Sequence, residues 1–210
     1  MLRYAVRVAI LVALLAETAL GQEAPSGAEA EPWSCYAAGY LFFVPDDRDV
    51  LSPTFTADRG RLHLEARYNY EAFETGSLFA GGNFAGGDEL AWELTAMLGA
   101  AFGETGGVVP AYRGALYWSR FDVSTEGEYV IDTEVQADSF FYSWSELAYS
   151  PREWLRAGLA IQRTALYQTE DEVQFGVHAG GSHAGVDAAL YVFDVTYEEP
   201  TVVLLAGVAF

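Results

Sequence analysis

Arg61-Leu62-His63-Leu64-Glu65-Ala66-Arg67-Tyr68-Asn69-Tyr70 is the stretch on which the fold turns. Leu62, Leu64, Ala66, Tyr68 and Tyr70 alternate with His63, Glu65, Arg67 and Asn69. A strand places successive side chains on opposite faces, so it would gather every polar group on one side, whereas a helix would scatter both sets. The same period of two recurs in 90–102, where Leu90, Trp92, Leu94, Ala96, Leu98, Ala100 and Phe102 oppose Ala91, Glu93, Thr95, Met97, Gly99 and Ala101. It recurs in 121–132, where Phe121, Val123, Tyr129 and Ile131 oppose Asp122, Ser124, Glu126 and Glu128, with Thr125 and Gly127 as weaker members of the apolar face.

Turn-forming clusters punctuate the chain on both sides of these runs: Pro45-Asp46-Asp47, Asp58-Arg59-Gly60, Glu74-Thr75-Gly76, Gly86-Gly87-Asp88, Glu104-Thr105-Gly106, Ser150-Pro151, Glu170-Asp171-Glu172, Gly180-Gly181-Ser182 and Glu198-Glu199-Pro200. Reading between them predicts strands over 36–44, 53–58, 61–70, 77–84, 89–102, 107–118, 121–132, 139–149, 153–168, 172–179, 185–195 and 200–210. That is twelve strands, with ten or eleven as the alternative if the short 53–58 segment is loop. No segment after the first apolar run approaches the roughly 18 consecutive apolar residues of a membrane helix.

Periodicity cannot say which face is hidden. A soluble barrel turns its apolar face inward, and a membrane barrel turns the same alternation outward. The apolar faces here carry Tyr68, Tyr70, Phe84, Trp92, Phe102, Phe121 and Tyr129, while the opposite faces repeat Gly, Ala, Glu and Arg. Aromatics near strand ends suit girdles at two bilayer interfaces, and small residues among charged ones suit a crowded polar lumen. The last strand, 201–210, alternates through Leu204, Ala206 and Val208 to a terminal Phe210. In these features the chain resembles bacterial outer-membrane β-barrel proteins of the porin-like class, over residues 36–210. The resemblance implies an all-β, closed, antiparallel up-and-down transmembrane barrel with a polar interior. It also implies that Phe210 is part of the signal read by the barrel-insertion machinery.

The start of the chain carries a different message. Arg3 and Arg7 precede an apolar run from Val8 to Ala16, and Ala19-Leu20-Gly21 provides a small-x-small cleavage site before Gln22. Nine apolar residues at about 1.5 Å each cover less than half of a hydrocarbon core roughly 30 Å thick. Residues 1–21 read as a cleaved signal peptide and 22–35 as a disordered periplasmic leader, rich in Ala, Glu, Gly, Pro and Ser over Gln22 to Pro32. Cys35 follows Trp33-Ser34 and lacks a lipobox, so it reads as an ordinary thiol. The expected location is the bacterial outer membrane of a Gram-negative cell, reached through the periplasm, with membrane lipid as the partner of the apolar face.

Of the 210 residues, 51% are apolar and 15% aromatic, including 13 Phe and 13 Tyr, which excludes a disordered chain. The formal charge is −19, and all 11 bases are arginine. The absence of lysine excludes P-loop and Schiff-base chemistry, and so acidic a chain is a poor partner for nucleic acid. Counting strands back from Phe210 at the periplasmic end places Asp46 to Asp49, Glu71 to Gly76, Glu104, Thr133 to Asp138, Glu170 to Glu172 and Glu198-Glu199 outside. Arg59, Arg120, Arg152 and His183 fall at periplasmic turns. Such an acidic rim can collect divalent cations or simply be a solvated face.

The alternation sends His63, Glu65, Arg67, Asn69, Glu93, Arg113, Glu126, Glu128, Glu146, Arg156, Gln162, Gln174 and His178 into the lumen. An arginine facing lipid at the midplane costs roughly 2–4 kcal/mol, which gives Arg67, Arg113 and Arg156 strong reason to point inward. Two roles are open to them. They either plug the barrel as an ion-pair network, or line a narrow conduit in which Glu65, Glu93, Glu126 and Glu128 favour cations against Arg67, Arg113 and Arg156. Arg163 and Asp194 fall on the lipid face unless a bulge intervenes or they sit near the outer rim.

Catalysis has little support. Gly181-Ser182-His183-Ala184-Gly185 lacks the Gly-x-Ser-x-Gly spacing, and adjacent residues point apart. Histidines at 63, 178 and 183 and a single cysteine show no metal-ligand spacing, so no cofactor or metal is expected. The functional expectation is a small passive channel for cations or neutral solutes. A non-conducting structural or surface-binding barrel is the alternative, followed by a lipid-modifying barrel enzyme. Oligomeric state is not encoded in any of these patterns.

Overall fold

The computed structural model describes residues 31–45, 47–133, 139–166, 172–196 and 199–210; the expected signal peptide lies outside them. Twelve strands follow one another: β1 Ser34–Phe43, β2 Val50–Arg59, β3 Leu62–Tyr68, β4 Thr75–Gly86, β5 Ala91–Gly103, β6 Gly107–Trp118, β7 Phe121–Asp132, β8 Phe140–Arg152, β9 Leu155–Leu166, β10 Glu172–His183, β11 Val186–Phe193 and β12 Thr201–Ala209. Each pairs antiparallel with its chain neighbours, and β1 closes on β12 from Tyr36↔Ala209 to Phe43↔Val202. The seam is completed by reciprocal bonds, Cys35 N–H to Phe210 O and Phe210 N–H to Cys35 O, both 2.9 Å. A closed barrel of antiparallel strands leaves no unpaired edge, which is the condition for a sheet to sit in lipid.

An even strand count brings the start of β1 and the end of β12 to one end of the barrel, called here the terminal end. Its connections are tight: only Gly60-Arg61, Ser119-Arg120, Glu153-Trp154 and Ala184-Gly185 separate their strands, with Gly87 to Leu90 the longest. The opposite, loop end carries the connections after β1, β3, β5, β7, β9 and β11, all longer than these except the three residues Glu104 to Gly106.

Several boundaries differ from the sequence expectation. Ser34 and Cys35 belong to β1 rather than to the leader. Residues 53–58 lie inside a full-length β2. Ser150-Pro151 lies within β8, where the ladder with β9 slips between Tyr149 and Arg152, as a proline without an N–H requires. Gly180-Gly181-Ser182 is strand, not turn. The glycine there serves close approach: a Cβ on Gly180 would stand 2.7 Å from the Ala189 Cβ and from the Ala188 carbonyl. The turn itself is Ala184-Gly185, with φ of 52° and 78°.

The apolar faces point out. Leu159, in the middle of β9, is 57% exposed, and Leu78 of β4 is 56% exposed. Large apolar side chains on the outside of nearly every strand form a continuous belt whose complement is lipid. At the terminal end the belt finishes in aromatics, with Phe121 stacked on Trp118 at 6.5 Å and tilted against Tyr149 at 5.1 Å, and Phe55 6.3 Å from Phe210. Arg163 is on this outward face with no register slip, paired with Ser143 and Val173. It lies three residues from the loop end of β9, over the Phe141 ring at 6.0 Å, so the rim position and not a bulge accounts for it. Asp194 lies just past β11 with φ 55°, its N–H bonded to Phe175 O at 2.8 Å.

One residue expected on the lipid face is inside. The alternation holds to Tyr68, but Asn69 adopts φ 53° and ends β3, so the count restarts and Tyr70 turns into the lumen. Asn69 is then a turn residue rather than a lumen one: its Nδ2 donates to Leu51 O at 3.1 Å, and Glu74 N–H donates to its Oδ1 at 2.8 Å. Asn tolerates the left-handed region because its short polar side chain bonds locally, as it does here.

Candidate functional site

The inward face of β3 builds the centre of the lumen. His63, Glu65 and Arg67 are 3%, 3% and 6% exposed. Glu65 Oε1 accepts from Arg67 Nε at 2.7 Å and from Arg113 Nη2 at 2.6 Å, while Oε2 meets His63 Nε2 at 3.0 Å. The other His63 nitrogen meets Asp58 Oδ1 at 2.7 Å. From this nucleus the network crosses to β7: Arg67 Nη1 donates to Glu128 Oε2 at 2.6 Å, and Arg113 Nε donates to Glu126 Oε2 at 3.1 Å. Tyr70 OH donates to Glu126 Oε1. Buried carboxylates and guanidiniums are tolerable only when paired and hydrogen-bonded, and Glu65 is saturated on both oxygens.

A second network lies between β7, β8, β9 and β11. Arg156 Nη2 donates to Asp122 Oδ2 and Nη1 to Glu146 Oε2, each at 2.5 Å. Glu146 Oε1 accepts from Trp144 Nε1 at 2.9 Å and Tyr191 OH at 3.0 Å. His178 stacks on Tyr191 with centroids 5.3 Å apart, its Nε2 3.8 Å from Glu146 Oε2. Arg67, Arg113 and Arg156 thus all point inward and all pair, and Gln162 and Gln174, paired with each other across β9 and β10, share the face of Trp144.

Sequence reading missed how apolar the loop half of the lumen is. Phe79, Met97, Ala101, Val109 and Val130 pack with Phe140 on one wall. Trp144, Ala160, Tyr191, Phe193 and Val203 pack with Tyr40, Phe42 and Tyr142 on the other. These inward aromatics reach across: Tyr40 is 6.5 Å from Trp144, and Tyr70 is 5.7 Å from Tyr142, edge to face. Phe193, Val109, Val130 and Val203 are wholly buried, so this half of the barrel is filled by side chains. Strict alternation of bulky inward residues such as Tyr191 and Phe193 was the available signal, but a period of two does not distinguish an apolar lumen position from an apolar lipid position.

The terminal half is open. Two adjoining cavities of about 380 and about 440 Å3 share Glu93, Thr95 and Arg113 in their walls. The first reaches inward to Tyr40, Trp144 and Tyr191, which form its floor. The second runs past His63 and Asp58 toward Gly60. Glu93 is exposed within this vestibule, its carboxylate accepting from Tyr117 OH at 3.3 Å. Of the expected lumen carboxylates, Glu93, Glu126 and Glu146 line the first cavity, the last two paired with Arg113 and Arg156, whereas Glu65 and Glu128 are sealed inside buried pairs.

Glu71 also departs from expectation. Placed outside by strand counting, it is 7% exposed and turned inward, accepting from Ser77 Oγ at 2.6 Å. Ser182 and His183 lie on opposite faces at the end of β10, paired with Asp187 and Val186. Among the described residues no three His, Cys, Asp or Glu side chains form a group that could hold a metal ion.

A closed twelve-stranded antiparallel barrel with an apolar outside and a charged lumen has the architecture of porin-like proteins. A solved structure described as "KdgM porin" has the same fold: TM-score 0.59 and 8% sequence identity, covering 83% of this chain and 99% of that one. No family model and no curated protein matches the sequence.

Proposed function

We propose that the protein is an outer-membrane barrel that passes small cations or neutral solutes, with its export signal in residues 1–21 and its terminal end in the periplasm. The observation that carries this reading is the open, acid-lined vestibule in a barrel whose outer belt is complementary to lipid. Glu93 stands on its wall, while the Arg113 and Arg156 guanidiniums beside it are neutralised by Glu65, Glu126, Glu146 and Asp122. Fixed negative charge in a low-dielectric vestibule lowers the entry barrier for cations and raises it for anions. Acidic residues of the loop end add a diffuse field of the same sign, which concentrates cations at the far mouth. The solved neighbour is a porin by its description, which supports the channel reading through fold alone.

The packed loop half favours a second reading, a non-conducting barrel with a one-ended vestibule. Planar-bilayer recording of the refolded chain separates the two. Discrete conductance steps with a reversal potential on the cation side in a salt gradient support the channel; a silent bilayer at every voltage and pH supports the closed barrel.

A further inference from the structure

Two buried carboxylate oxygens, Glu71 Oε2 and Glu128 Oε1, have no hydrogen-bond partner among the described residues. Both side chains are essentially sealed from solvent, at 0% and 1% exposed. They converge on one cation: Arg67 Nη1 lies 2.6 Å from Glu128 Oε2 and 3.6 Å from Glu71 Oε1, while its Nε is already bonded to Glu65. The charged and titratable groups around Glu71 are Arg67 and Glu65 of β3 and Glu128 of β7. Tyr70, Glu126 of β7, Arg113 of β6 and Tyr142 of β8 form the next layer. Four carboxylates thus share two guanidiniums, with His63 touching Glu65 from the far side. An ionised buried carboxylate with an unbonded oxygen is far costlier than a neutral acid in the same place. A proton shared between these two positions is therefore the least costly state, since it leaves one carboxylate ionised against Arg67.

Glu71 belongs to the connection between β3 and β4, and this connection folds into the mouth of the lumen instead of standing over it. Tyr70 and Glu71 enter the lumen, the left-handed residues Asn69 and Glu74 mark the two bends, and Arg48 packs on the Phe73 ring at 3.2 Å. Apart from Phe73, the edge-to-face contact of Tyr70 with Tyr142 and the Asn69 turn bonds, the inward hold of this strap is polar: Ser77 and Arg67 on Glu71, and Glu126 on Tyr70.

We infer that residues 69–74 are a proton-operated gate at the loop end of the lumen, closed while Glu71 and Glu128 share protons around Arg67 and released when both are ionised. The proton is exchanged with bulk water at the loop end. Burial holds the Glu71 carboxyl above the ordinary carboxylate range, so the closed form is fully held at acid pH and is lost as pH rises through that raised value. Release withdraws Tyr70 from Tyr142 and Glu126 and widens the loop-end mouth of the lumen. This consequence for transport rests on the channel reading; the movement of the strap does not.

The test follows strap exposure directly. With Cys35→Ser as background, Ala72→Cys places a single thiol on the strap, and Asp88→Cys, in the exposed turn at the other end, supplies the reference. Modification by a charged maleimide is measured on refolded protein at about pH 5, just above the ordinary carboxylate value of about 4, and at about pH 9, well above the ordinary histidine value of about 6.5. The expected result is a strap-to-reference ratio at least about tenfold higher at the upper pH, the mark of a shift from the closed to the released population. Glu71→Gln, or Glu128→Gln if the first variant does not fold, flattens that rise. An equal ratio at both pH values in the parent protein overturns the gate, and so does an undiminished rise in a folded Gln variant. Bilayer recording of the same samples keeps the two ideas apart: a moving strap without conductance refutes the channel, and conductance with an immobile strap refutes the gate.

Discussion

Arg67 Nη1 and Glu128 Oε2 stand 2.6 Å apart and join β3 to β7 through the interior of the barrel, between strands that are not neighbours in the sheet. The pair therefore braces the wall as well as filling the lumen. Replacing Arg67 by Ala strands Glu65, Glu71 and Glu128 around a lost cation. Breaking one side of a buried pair costs about 3–5 kcal/mol, so the Ala variant is expected to lose that much in urea unfolding from lipid vesicles. A loss below about 1 kcal/mol would mean the network behaves as a solvated one.

Selectivity should follow exposure in the vestibule rather than mere inward orientation. Glu93→Gln and Glu126→Gln each remove charge from the cavity wall, and the reversal potential in a salt gradient is expected to move toward anions in both. Glu65→Gln alters a carboxylate sealed by two arginines and should act mainly on stability. A larger potential shift from Glu65 than from Glu93 would place the conduction path elsewhere.

Trp144 forms the vestibule floor and donates to Glu146. Trp144→Ala opens space between Tyr40 and Tyr191 and removes one donor from Glu146. Large-to-small truncation of a buried aromatic costs about 3–5 kcal/mol, read as a lower urea midpoint. Single-channel current should rise in the same variant, since the floor is what narrows the lumen there.

The outer belt makes a prediction of its own. Leu159 is exposed in the middle of β9, facing outward. Leu159→Arg is expected to destabilise the protein in lipid bilayers by about 2–4 kcal/mol, whereas an arginine near the rim, where Arg163 already stands, should cost at most about 1 kcal/mol. Equal penalties at the two depths would argue against a membrane-spanning belt.

The strand order, the even count and the inward set His63, Glu65 and Arg67 were legible from a period of two, because alternation is a local property that each strand carries regardless of its neighbours. Two departures show where that logic fails. Asn69 takes a left-handed conformation that no alternation rule anticipates, and the phase beyond it is reset, so Tyr70 and Glu71 enter the lumen against expectation. Gly180 and Gly181 look like a turn in one dimension but are small because β11 and the 153–154 turn press on them in three.

Linear pattern sufficed for which residues share a face, since sterics at each peptide impose it one residue at a time. Which carboxylates are neutralised, which face water and which are left an oxygen short depended on closure, because pairs such as Arg67 with Glu128 or Tyr70 with Glu126 come from strands remote in the chain. Their geometry exists only once the sheet has curled on itself and brought opposite walls within hydrogen-bonding reach.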